Sequence, residues 1–294
     1  MNFFQAIFLG LVQALTEYLP VSSSAHIRII GDLMLGSDPG AAFTAIIQIG
    51  TELAVILYFR HDIIRILGAW FGSLFGKDGK DFKSRMGAHN PDTQMGWFII
   101  LGTMPILIAG LLFKHAIEGS LRNLWITVTV LALFGVLLWV VDARSKQVKT
   151  MKEMTWKDAL IFGIGQMLAL IPGVSRSGGT ITFGRAMGYT REAAVRVSFL
   201  MAIPAVFGAG ILEAVSAVKD VAAGDAGMFP GWGPIIAASI VAFVVCYGVI
   251  IGFLKFVSTF SYKAFAIYRI GLAIVVALLL ITGVLSPLEA AAAA

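Results

Sequence analysis

Glu17, Ser23, His26 and Arg176 are the residues of this chain whose types and spacing could do chemistry. The first three lie in Gln13-Ala-Leu-Thr-Glu17-Tyr-Leu-Pro20-Val-Ser22-Ser23-Ser24-Ala-His26, and the fourth in Pro172-Gly173-Val-Ser175-Arg176-Ser177-Gly178-Gly179-Thr180. Gln13 and Glu17 are four apart and share a helix face. Ser22 and Ser23 precede His26 by four and three positions, so either can face the imidazole. A serine beside a histidine outlines an activated nucleophile, and histidine is the usual proton carrier. In the second stretch the planar guanidinium of Arg176 can grip phosphate oxygens bidentately. Ser175, Ser177 and Thr180 add hydroxyl donors. The small Gly178 lets backbone amides approach an anion at a helix N-terminus. A buried carboxylate beside a phosphate makes sense if a divalent cation joins them, and Mg²⁺ commonly takes one or two carboxylates plus substrate phosphates. Glu17, with Gln13, is the candidate ligand set. Gln48 and Glu52, again four apart, are candidates to support the same cavity or to bond neighbouring helices.

The elements that hold these residues are repeated. Gly10, Gln13, Pro20 and a hydroxyl cluster recur as Gly163, Gln166, Pro172 and a second hydroxyl cluster, about 153 positions on. Paired, proline-broken polar segments in the two halves of a membrane protein point to its binding site. The 294 residues are 58% hydrophobic and 13% charged, with mean hydropathy +0.88. Soluble domains are about 25% charged, so the chain is an all-α integral membrane protein. The net charge of +5 resides in loops, as the positive-inside rule expects, and nucleic acid is not an expected partner. The lone Cys246 excludes an internal disulfide. No signal peptide is read at the N-terminus, and 288–294 reads as an appended tail.

Six stretches can cross a bilayer: Ala41–Phe59, Trp97–Lys114, Leu124–Val141, Ala193–Ser216, Pro234–Leu254 and Phe265–Leu285. The motif segments, Asn2–Leu35 and Lys157–Tyr189, each have two arms too short to cross, joined by a Pro/Ser/Gly-rich tip. That is the pattern of a re-entrant hairpin, whose tip must be enclosed by protein or a polar cavity. Basic residues in successive loops number six, two, five, one and two, with none at the C-terminus. Loops one, three and five are therefore assigned to the cytoplasm and both termini to the outside. Three spans separate the hairpins, so they enter from opposite sides. The expectation is a single membrane domain of two inverted repeats, about 1–142 and 157–285, with tips meeting near the midplane. Ile63 to Phe75 reads as an interfacial amphipathic helix or as an extension of the first span. Arg185, Arg191 and Arg196 are expected at the cytoplasmic surface, on lipid headgroups.

At these motifs the chain resembles the undecaprenyl pyrophosphate phosphatase family, also called the bacitracin-resistance proteins. Gln13 and Glu17 match its Glu/Gln-x-x-x-Glu motif. Pro20-Val21-Ser22-Ser23 and His26 match its Pro-Val-Ser-Ser and nearby histidine, and Pro172 to Thr180 match Pro-Gly-x-Ser-Arg-Ser-x-x-Thr without a gap. The resemblance implies catalytic roles for Glu17, Ser23, His26 and Arg176. It implies phosphate-binding or supporting roles for Gln13, Ser22, Ser175, Ser177 and Thr180. It also implies two re-entrant hairpins, dependence on Mg²⁺ or Ca²⁺, an outward-facing site in a bacterial plasma membrane and hydrolysis of a polyprenyl diphosphate lipid. Such a reaction recycles the carrier for cell-wall synthesis and confers bacitracin resistance. A homodimer is compatible with the sequence. Two other readings compete. A polyprenyl-phosphate transporter or flippase could use the same inverted-repeat cavity, but would not require the grouping of Ser23, His26 and Glu17. A lipid phosphatase of the acid-phosphatase type needs a histidine after Ser-Arg, and none follows Arg176.

Overall fold

The computed structural model describes residues 1–222 and 230–288. Of the expected tail, all but Leu288 lies outside them. The principal helices are α1 (Phe3–Thr16), α2 (Ser23–Leu35), α3 (Ala41–Tyr58), α4 (Arg60–Leu74), α5 (Pro91–Leu112), α6 (Leu124–Arg144), α7 (Trp156–Met167), α8 (Arg176–Ala186), α9 (Arg191–Ala222), α10 (Trp232–Thr259) and α11 (Lys263–Ile281). Among the described residues the only β feature is an isolated bridge between Lys149 and Tyr189.

α1 and α2 are the arms of the first hairpin, and α7 and α8 those of the second. At 1.5 Å per residue, the longest of them spans roughly 21 Å, short of a hydrocarbon core of about 30 Å. Helices α5, α6, α9, α10 and α11 are each long and apolar enough to cross a membrane. α3 makes a sixth candidate only together with α4, from which it is bent by 77° at Phe59. α4 is the helix expected from Ile63 to Phe75. It exposes Ile64, Leu67 and Phe71, the apolar face of an interfacial helix.

The packing obeys the inverted repeat. α1 packs on α10 as α7 packs on α5, and α3 on α10 as α9 on α5, while α3 meets α9 and α6 meets α11 across the pseudo-twofold. Gly10 and Gly163 show why each motif begins with glycine. A Cβ on Gly10 would lie 2.5 Å from the carbonyl oxygen of Ala238 on α10, and one on Gly163 would lie 2.4 Å from that of Gly102 on α5. A departure from symmetry is α9, a continuous 32-residue helix where the first half has the bent pair α3–α4.

The three arginines expected on lipid headgroups are instead committed to protein. Arg185 is fully buried. Its Nε donates to Asp142 Oδ1 at 2.8 Å, and Arg191 Nε donates to the same oxygen at 3.0 Å. Asp142 also accepts from the backbone N–H of Tyr262 at 3.1 Å, so one carboxylate ties the ends of α6, α8, α9 and α11 together. Arg196 Nη2 donates to Asp62 Oδ2 at 2.9 Å and fastens α4 to α9. Positive-inside reasoning counts cations and does not see their partners.

Gly163→Ala is expected to destabilise the protein by about 2 kcal/mol or more, since α7 and α5 cannot separate without cost elsewhere in the core. Thermal unfolding of the detergent-solubilised variant would register this as a lowered melting temperature. An unchanged value would contradict the packing.

Candidate active site

Each hairpin tip is locally strained at a serine. Ser22 (φ 73°) and Ser175 (φ 70°) lie in the left-handed region and immediately precede the second arms. Such positions cost about 1–3 kcal/mol for a side chain with a Cβ. Here they turn Ser23 and Arg176 inward at the starts of α2 and α8.

Glu17 is the centre of the site and is 4% exposed. Its Oε2 accepts from Gln13 Nε2 at 2.6 Å, Ser23 Oγ at 2.6 Å and Gln48 Nε2 at 3.4 Å. Its Oε1 accepts from Arg176 Nη2 at 3.0 Å, an ion pair that joins the two tips. The Arg176 guanidinium also lies over the ring of Tyr18, 5.1 Å from its centroid, and the Tyr18 hydroxyl donates to Glu52 Oε2 at 2.6 Å. Glu52 thus supports the site through Tyr18. Arg176 Nε and Nη1 are buried and have no protein partner. Two unmatched cationic N–H groups beside a serine, at the N-terminal end of α8, are a ready site for an anion.

The sequence pairs Ser23 with His26, whereas the structure gives the Ser23 hydroxyl to Glu17. His26 Nδ1 lies 2.7 Å from the Ser22 carbonyl oxygen, and Nε2 lies 2.6 Å from the Tyr268 hydroxyl. Several candidate phosphate donors are engaged within the tips. Ser177 Oγ donates to the Leu19 carbonyl at 2.9 Å, a second tie between the tips. Ser175 Oγ accepts from the Gly178 amide at 3.2 Å. Thr180 donates to the Arg176 carbonyl and contacts Ser198 Oγ on α9 at 2.7 Å. The fully buried Ser22 has its Oγ 3.2 Å from that of Ser24. These groups shape the tips. Gln166, the repeat partner of Gln13, is buried with neither amide atom bonded to protein.

Sequence reasoning missed Arg269 of α11. It is fully buried, and its guanidinium donates to backbone carbonyls: Pro20 at 3.0 Å, Gly173 at 2.7 Å, Val174 at 3.1 Å and Leu131 at 3.2 Å. The first belongs to the first tip, the next two to the second tip, and the last to α6. A lone arginine in an apolar span was the available signal, because insertion scales charge at least ~2.5 kcal/mol for it. Tyr268 left no such signal.

A cavity of about 320 Å³ borders this cluster at Gln48, which bonds Glu17, and is also lined by Ser24, Pro172, Arg28, Asp38, Arg122 and Glu213 among others. Arg28 Nη1 donates to Asp38 Oδ2 at 2.8 Å, and Arg122 pairs with the same carboxylate.

A multi-pass helical membrane protein with a serine, a carboxylate and an unsatisfied arginine at paired re-entrant tips is the class these features define. The chain belongs to the family described as Bacitracin resistance protein BacA, whose model matches residues 6–275. It is 92% identical over 294 residues to an Undecaprenyl-diphosphatase of Bifidobacterium adolescentis, covering 100% of both chains. It is 73% identical over 294 residues to an Undecaprenyl-diphosphatase of Bifidobacterium longum subsp. infantis, covering 100% of this chain and 99% of the relative. An Undecaprenyl-diphosphatase of Pseudarthrobacter chlorophenolicus is 53% identical over 289 residues, covering 97% of this chain and 100% of the relative.

Arg269→Met would leave carbonyls of both tips without a donor, at about 1–3 kcal/mol for each buried group left unsatisfied. The expected result is a marked fall in melting temperature together with loss of phosphate release from undecaprenyl diphosphate, measured on the same detergent preparation. Wild-type stability would rule out the clasp.

Proposed function

We infer that this protein hydrolyses undecaprenyl diphosphate to the monophosphate and inorganic phosphate. By doing so it recycles a lipid carrier for cell-wall synthesis and confers bacitracin resistance. The observation that carries the reading is the Glu17 carboxylate, which binds Ser23 through one oxygen and Arg176 through the other. Full-length identity to relatives named for this activity supports it. Carriage of a lipid without chemistry gives no reason to set a serine hydroxyl on a buried carboxylate.

The geometry supports a definite order of events. The terminal phosphate lodges against Arg176 Nε and Nη1, the two N–H groups with no protein partner. Ser23 Oγ attacks the terminal phosphorus and passes its proton to Glu17. The anhydride P–O bond breaks and the lipid monophosphate leaves. Water then cleaves the phosphoserine, releasing inorganic phosphate and returning a proton to Ser23. His26, one helical turn beyond Ser23, takes the proton of the incoming water. Phosphoryl transfer of this kind depends on charge neutralisation and alignment more than on covalent assistance.

A divalent cation shared with substrate is part of this reading. Among the described residues no three His, Cys, Asp or Glu side chains gather. Glu17 and Gln13 Oε1, a buried oxygen with no donor, supply hard oxygen ligands that diphosphate oxygens would complete, as Mg²⁺ or Ca²⁺ prefers. Such an ion, when bound, neutralises diphosphate charge.

The site is read as facing outward. The cavity includes Ile117 and Arg122 from the connection between α5 and α6, a loop poor in basic residues and so assigned to the outside. The prenyl tail stays in the bilayer while the headgroup enters.

Purified protein should release phosphate from undecaprenyl diphosphate in detergent, and a chelator should suppress that release. Ser23→Ala should lower kcat by at least about 100-fold, as expected for a lost nucleophile. Quenched wild-type reactions should yield phosphorylated Ser23 by mass spectrometry. Near-normal turnover by Ser23→Ala would transfer the attack to water.

A further inference from the structure

His26 is 6% exposed, and both of its ring nitrogens have partners. A carbonyl oxygen can only accept, so the 2.7 Å contact with the Ser22 carbonyl places a proton on Nδ1. In the neutral ring Nε2 is then the acceptor, and the Tyr268 hydroxyl donates into it at 2.6 Å. The two rings are parallel within 3°, with centroids 5.6 Å apart. One contact selects the tautomer and the other fixes the plane and occupies the basic nitrogen.

The place of Tyr268 makes the hydroxyl hard to explain otherwise. Arg269, the next residue, lies against Gly135, which sits near the middle of the 21-residue α6. Tyr268 is therefore level with the middle of α6, more than a turn inside the start of α11. It is 47% exposed on a face that also exposes Ile267, Ile274, Val275 and Leu278, so it borders lipid. Tyrosines of membrane spans gather at the interfaces, and a phenol hydroxyl in hydrocarbon is costly without a partner. Phenylalanine would fill the same space, and the hydroxyl is accounted for by His26. Arg269 pins this turn of α11 to the carbonyls of both tips. Tyr268 thereby has a fixed position relative to the helix that carries Ser23 and His26.

We propose that Tyr268 is a positioning residue for His26: it holds the imidazole in plane with Nε2 free of its own proton, and yields that nitrogen when substrate or water arrives. The proposal rests on the hydrolase reading above. The covalent steps are unchanged by it.

The test compares wild type, Tyr268→Phe and His26→Asn as full chains in detergent, with undecaprenyl diphosphate as substrate. Loss of one hydrogen bond should lower kcat of Tyr268→Phe by about fivefold to tenfold, with KM within about twofold because phosphate contacts are untouched. Diethyl pyrocarbonate labelling of His26, followed by mass spectrometry on monodisperse protein, gives a second readout that needs no turnover. With Nε2 no longer occupied, labelling should quicken in Tyr268→Phe and again in Tyr268→Leu. Wild-type kcat together with a wild-type labelling rate in Tyr268→Phe would overturn the proposal. So would full activity in His26→Asn, which would remove His26 from the site. If wild type itself releases no phosphate, the hydrolase reading fails, and the labelling rates alone decide whether Tyr268 holds His26.

Discussion

Broken helices can meet inside a bilayer only where protein or the water of a cavity satisfies the backbone at their breaks. In this protein much of that work falls to Arg269. It reaches from α11 to the carbonyls of Pro20, Gly173 and Val174, and so holds two oppositely inserted tips against one another. The ion pair of Glu17 with Arg176 and the bond from Ser177 to the Leu19 carbonyl lie across the same junction. The interactions that stabilise the fold at this point are thus the ones that assemble the site. Strain at Ser22 and Ser175 persists because the surrounding bonds over-determine the tips, as is common where a site is preorganised.

The electrostatics follow from that arrangement. One buried carboxylate faces one buried arginine, and the arginine has more N–H groups than the protein uses. The pair is balanced in the resting protein, yet two donors are left over for an incoming anion. Gln13 and Gln48 hold Glu17 from α1 and α3, while the Tyr18 ring lies against the Arg176 guanidinium and its hydroxyl bonds Glu52. Ser23 and Arg176 are thus held on the two oxygens of one carboxylate.

Much of this was legible in the sequence. The Gly-Gln-Pro-hydroxyl repeat gave the two hairpins, the odd number of spans between them gave their opposite insertion, and Glu17, Ser23 and Arg176 do come together. Gly10 and Gly163 were visible as repeats, although their reason, contact with a facing backbone, belongs to the packing. What stayed hidden depends on partners distant in the chain. Arg269 finds Pro20 across 249 positions, and Tyr268 finds His26 across 242; neither partner lies in a motif with it. The bond from Ser23 to Glu17 was hidden too, because helical spacing shows which side chains share a face and not how a strained turn redirects one of them. Arg185 was assigned to headgroups because Asp142, its partner, lies on another helix.

The convergence of the tips can be tested without turnover. With Cys246 replaced by serine, cysteines are placed at Leu19 and Ser177, and the loop between α6 and α7 is opened to a site-specific protease. Mild oxidation in the membrane should join the two halves, so that they migrate together on a denaturing gel after cleavage and separate on reduction. Halves that part freely, although each cysteine is present and reactive, would contradict the meeting of the two tips on which the site depends.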